Sequence, residues 1–145
     1  MYKHILFTTE LESENRQVED KAAAMGKLTN AKLSVIHVIE PMPSAYVIGE
    51  IGVSYDVREA RDELIANAKN SLQPTIARLG ITESDVIIKS GRVSSEVLLF
   101  AQQNNVDLIV TGSHGRHGLQ LLLGSTANAI LHGAKCDVLA VRFKD

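Results

Sequence analysis

Five short runs rich in Val, Ile and Leu alternate with segments that repeat apolar residues at helical spacing, and this alternation constrains the chain most. Tyr2 to Thr9, Lys32 to Ile39, Val86 to Lys89, Leu108 to Thr111 and Val138 to Val141 read as strands. Near-continuous apolar runs of this kind are covered on both faces, which points to a parallel sheet. Between them, Val18, Ala22, Met25 and Leu28 mark one face of a first helix, with Ser13 as its N-cap and Glu14 in its first turn. Val57, Ala60, Leu64, Ala68, Leu72, Ile76 and Leu79 mark a long second helix that Gly80 ends. Ser94 or Ser95 opens a third helix running to about Asn104, and Ala127, Ile130, Leu131 and Ala134 stripe the last. Parallel strands need right-handed crossovers, so the pattern predicts a single doubly wound α/β domain over residues 1–145. No internal repeat or low-complexity tract interrupts it.

Composition excludes several classes. The formal net charge is -2 and aromatics make up 4% of the chain, so a nucleic-acid-binding surface is not expected. No apolar segment approaches the roughly 20 residues that span a bilayer, so no membrane partner is expected either. The single cysteine, Cys136, cannot form an internal disulfide and reads as a small buried apolar residue, in keeping with a reducing cytoplasm. His4 and His132 share no metal-ligand spacing. His37, inside an apolar strand, reads as a hydrogen-bonded core histidine.

The chemistry concentrates after the fourth strand. There Thr111-Gly112-Ser113-His114-Gly115-Arg116-His117-Gly118 is followed by Leu121-Leu122-Leu123-Gly124-Ser125-Thr126. Glycines let the backbone turn sharply and approach a ligand closely. Amides and hydroxyls at a helix start suit phosphate oxygens, so a nucleotide is the ligand to expect. The segment is neither a Walker A loop, since no Lys follows its last glycine, nor a dinucleotide G-x-G-x-x-G turn. Each residue also has a plainer reading. The glycines would serve a flexible turn, and Ser125 or Thr126 an ordinary N-cap. Glu10 would partner the first helix dipole, and His117 would be a solvated loop residue. His114 is open between backbone geometry and ligand contact. Polarity favours the phosphate reading: Glu10, Glu12 and Glu14 crowd the first helix start, whereas Gly124 to Asn128 carries no acid. In such sheets ligands bind beyond the carboxyl ends of the strands. The loop from Glu40 to Tyr55, with two prolines and two glycines, is long enough to cover such a site or meet a partner. No nucleophile elbow surrounds Ser113, and Lys89-Ser90-Gly91 lacks the acid of a phosphoacceptor receiver domain.

Across nearly its whole length the chain resembles the universal stress protein family. The resemblance is carried by His4-Ile5-Leu6, by Ala31 to Val38, by Asp107 to Arg116 and by Cys136 to Arg142. Its centre is a Gly-x2-Gly-x9-Gly-Ser/Thr motif, matched in kind by Gly112, Gly115, Gly124 and Ser125. Here eight residues, Arg116 to Leu123, stand where the family has nine. If that stretch coils, the missing residue rotates the downstream residues by about 100°. Glu10 replaces the usual Asp, and Val93 stands where a proline is common after Gly91. The resemblance implies a Rossmann-like five-stranded parallel sheet in the order 3-2-1-4-5. It also implies a homodimer through the last strand, an edge strand open to pairing. It implies ATP, or AMP or ADP, as ligand with Mg2+ held mainly by the phosphates. Thr8, Thr9 and Glu10 would flank adenine and ribose, and Val38 would meet adenine through its side chain or backbone. Gly112 would line the ribose and α-phosphate, with His114 beside it. Gly115, Arg116, Gly124, Ser125 and Thr126 would hold the phosphates. The implied role is a nucleotide-dependent regulator or protective factor in stress response, with no catalytic residue and at most weak ATP hydrolysis. A nucleotide-free dimeric interaction module of the same family is the alternative.

Overall fold

The computed structural model describes residues 1–11, 16–41, 57–113 and 123–142. Five strands, β1 (His4–Thr8), β2 (Lys32–Ile39), β3 (Val86–Ser90), β4 (Leu108–Gly112) and β5 (Asp137–Val141), form one sheet. Its order is β3-β2-β1-β4-β5, and every neighbouring pair is parallel. The helices are α1 (Arg16–Thr29), α2 (Val57–Leu79), α3 (Val93–Gln103) and α4 (Ser125–Gly133), with a 3-10 turn at Glu83–Asp85. This is the doubly wound, Rossmann-like arrangement expected of the alternation.

Alternating side chains on each strand feed two core layers. Ile5 and Phe7, Val35, Leu108 and Val110 pack with Val18 and Ala22 of α1 and Leu72 and Leu79 of α2. Leu6, Ile36, Val38 and Ile109 pack with Val97 and Ala101 of α3 and Ile130 of α4. Each face of the sheet therefore carries one helix pair.

The element boundaries depart from the sequence reading in a few places. β1 is shorter than Tyr2 to Thr9, and α3 opens at Val93, with Arg92 as its N-cap. Leu28 is exposed, because it lies about 80° around α1 from Val18. Thr29 beside it is half-buried, its hydroxyl donating to the Met25 carbonyl one turn back at 2.7 Å. Leu64 is exposed in the first half of the 23-residue α2, whose buried residues, Ala68, Leu72, Thr75 and Leu79, all lie further along the helix. Leu131 is exposed one residue, about 100°, away from the buried Ile130. Ser13 and most of the loop from Glu40 to Tyr55 lie outside the described residues.

Candidate functional site

Strand order reverses between β1 and β4, so the crevice of this sheet opens at their carboxyl ends. Extending the register Phe7↔Val110 by two residues sets Thr9 level with Gly112. On the β1 side, the buried Thr9 donates its amide to the Ile36 carbonyl at 3.0 Å and accepts a bond from His37 Nδ1 at 2.9 Å on its own carbonyl. Its hydroxyl accepts from the Leu11 amide at 3.3 Å. Leu11 adopts the left-handed region, with φ 63°, and its side chain packs back against the core. That conformation costs about 1–2 kcal/mol for a non-glycine residue, offset here by the apolar contact and the hydroxyl bond. The turn leaves Glu10 exposed at its crest.

On the β4 side, Ser113 donates its amide to Val141 at 2.9 Å, and its carbonyl accepts from the Gly124 amide at 2.7 Å. This second bond fastens the start of α4 to the end of β4. Gly124 is the N-cap, with φ −59° and ψ 152°, and no side chain caps the helix. Asn128 closes the first turn on the Gly124 carbonyl at 2.9 Å. The amides of Ser125, Thr126 and Ala127 therefore find no acceptor within their helix. No acidic residue lies in that turn. Such a terminus attracts anions.

The described residues Thr8, Thr9, Glu10, Gly112, Gly124, Ser125 and Thr126 thus lie on adjoining elements at one end of the sheet. Val38 is one strand further, near the end of β2, and its buried side chain belongs to the core, which leaves its backbone for any ligand contact. Ser125 is the first helical residue rather than the N-cap. His114, Gly115 and Arg116 lie outside the described residues. Two features escape a reading of motifs: the tie between Gly124 and Ser113, and the bond from His37 to Thr9. Only the strand register, which sets His37 opposite Thr9, carried a sign of the latter.

The opposite end of the sheet holds polar groups with structural work. The Asp107 carboxylate accepts the amides of Lys3 and His4 at 2.7 and 3.0 Å. Tyr2 donates its hydroxyl to Asp137 at 2.8 Å, and that bond, with the Asp137 and Asp107 charges, raises the phenol above its ordinary range. His4 bridges the Asn104 carbonyl at 3.0 Å and the Ser34 hydroxyl at 2.9 Å. Ser34 is 1% exposed, so this serine–histidine contact has no access for a substrate and is a core hydrogen bond. A cavity of about 210 Å³ lies nearby, lined by Leu98, Val106, Ile109, Lys135 and Cys136 among others. Cys136 is partly rather than fully buried, contrary to its sequence reading. Burial, then Asp137 and Asp107, push its thiol up, so it stays protonated at neutral pH. Among the described residues no three His, Cys, Asp or Glu side chains converge on a metal position.

The model of the universal stress protein family matches residues 1–142. The chain belongs to the universal stress protein family. Universal stress protein A homolog 2 of Coxiella burnetii is 42% identical over 144 residues, covering 99% of this chain and 97% of its own. Among solved structures, hypothetical protein MJ0577 superposes with a TM-score of 0.81 at 26% identity, covering 100% of this chain and 99% of that one. A universal stress protein in complex with cAMP superposes at 0.68 with 21% identity, covering 99% of both chains. Membership places this chain among stress-response proteins. No described helix is long and apolar enough to cross a membrane.

Proposed function

We propose that this universal stress protein is a nucleotide-dependent regulator that binds ATP, with Mg2+, in the crevice between β1 and β4. The carrying observation is the 2.7 Å bond from the Gly124 amide to the Ser113 carbonyl. It holds an uncapped, acid-free helix start at the strand end, even with eight residues in the motif rather than nine. The amides and hydroxyls of Ser125 and Thr126 would receive phosphate oxygens, and Gly112 would line the ribose and α-phosphate. Thr8, Thr9 and Glu10 would flank adenine and ribose, with the Val38 backbone against the base. His114, Gly115 and Arg116 join the set on sequence grounds. Mg2+ would take its ligands mainly from the phosphates and water. The cAMP complex of a relative with this fold supports adenine nucleotides as the ligand class. The reading includes a cytoplasmic homodimer paired through β5.

The test is direct. Protein purified without added nucleotide is denatured, its supernatant is analysed for adenine nucleotides, and the native protein is titrated with ATP and Mg2+ by calorimetry. Co-purifying nucleotide or saturable heat is expected. Neither signal at high protein concentration would overturn the proposal in favour of a nucleotide-free dimeric module. Turnover well above about one per minute would make the chain an enzyme, although still slow beside the typical median of roughly 10 per second.

A further inference from the structure

His37 sits on β2 with its ring half-buried, and its Nδ1 lies 2.9 Å from the Thr9 carbonyl. A carbonyl only accepts, so the ring nitrogen that meets it carries the proton and donates. The acceptor is no ordinary strand residue. Thr9 is the first residue past β1, and its hydroxyl holds the amide of Leu11, the left-handed residue of the turn. Thr9 is thus fixed at three points: its amide on Ile36, its hydroxyl under Leu11 and its carbonyl under His37. The first is a bond between strand backbones, and the second is local to the turn, made by Thr9's own side chain. The third depends on the identity of one side chain on the neighbouring strand.

We propose that His37 is a positioning residue for the nucleotide site, its Nδ1–H holding the Thr9 carbonyl so that the Thr8–Thr9–Glu10 turn keeps the shape that receives adenine and ribose. The proposal rests on the nucleotide-binding reading above. A turn that runs into a residue in a costly conformation, as this one does at Leu11, relaxes when one of its ties is cut. A ligand must then reorder the turn as it binds, and that ordering is subtracted from its affinity.

Two variants separate the donor from the ring. His37→Phe keeps a planar ring of similar size and removes the donor. His37→Asn places an amide N–H at the same branch point as Nδ1 and restores it. In the absence of ligand, hydrogen exchange at the Leu11 amide is expected to quicken in His37→Phe and return toward wild type in His37→Asn. By calorimetry with ATP and Mg2+, His37→Phe is expected to bind about tenfold more weakly, the upper end of what one neutral hydrogen bond contributes, and His37→Asn to recover most of that loss. A merely structural histidine would give equal losses in both variants, tracking their melting temperatures, and that result would overturn the proposal. So would wild-type affinity in His37→Phe. If the wild-type chain itself binds no nucleotide, the functional reading fails first and this role falls with it. Binding by the wild type with indifferent variants defeats the positioning role alone.

Discussion

Gly124 adopts φ −59° and ψ 152°, a region open to every L residue, so its own backbone does not require glycine. What glycine provides there is the missing Cβ, at the point where Ser113 and the start of α4 meet. If phosphate approaches that point, an added methyl group obstructs the ligand, while the backbone angles themselves admit alanine. In Gly124→Ala, reduced unfolded-chain entropy favours the folded state, whereas alanine is a poorer N-cap. These opposed terms leave stability within about 1 kcal/mol of wild type. Nucleotide affinity is expected to fall by about tenfold or more, because close backbone approach is what glycine permits. Calorimetry alongside thermal melts checks this, and unchanged affinity would remove Gly124 from the phosphate contacts. The motif made this glycine visible in the sequence. Its ordinary dihedrals, which turn the argument from conformation to space, were not visible there.

Between elements, the pairing of α1 with α2 depends on a group that apolar periodicity does not register. Glu19 is 4% exposed, accepts the Thr75 hydroxyl at 2.7 Å and pairs with Arg78. Its burial explains why the inward arc of α1 is centred between Val18 and Glu19 and leaves Leu28 outside. Hydrophobic spacing located all four described helices, because each buries an apolar stripe. It misjudged Leu28, Leu64 and Leu131 because the partner surface, not the stripe, decides which edge of the face is covered. Arg78→Ala is expected to cost about 1–3 kcal/mol, below the usual loss for a broken buried pair because the Arg78 side chain is 35% exposed. In a Glu19→Gln background the same substitution should cost less, since no charge is left unpaired. Urea unfolding of the four variants measures both, and an Arg78→Ala loss under about 0.5 kcal/mol would show that water compensates the carboxylate.

For the whole molecule, the parallel sheet was legible in its continuous apolar runs, whereas the strand order came only from family resemblance, because spacing along a chain does not say which strands touch. The order matters, since it leaves β5 at an edge. Asp137 donates its amide to Asp107 and Val141 accepts from Ser113, so the odd-numbered residues of β5 bond to β4. Strand alternation then aims the backbone groups of Val138 and Ala140 away from the sheet, where a second copy would pair. A proline at an outward-facing position removes no bond within its own sheet. Ala140→Pro should therefore leave the fold intact and weaken the proposed homodimer, since proline at an edge blocks strand addition. Sedimentation at micromolar concentration distinguishes the outcomes. Wild type is expected to run as a dimer and Ala140→Pro as a monomer with unchanged secondary structure by circular dichroism. A wild-type monomer would refute the homodimer, and a dimer persisting in Ala140→Pro would move the interface away from this edge. The proposed nucleotide crevice lies between β1 and β4, and Ser113 at its rim bonds to Val141. Strand pairing at β5 is therefore one residue contact away from the end proposed to face the phosphates. If dimer formation stiffens that contact, nucleotide affinity in the monomeric variant falls even though no ligand-facing residue has changed.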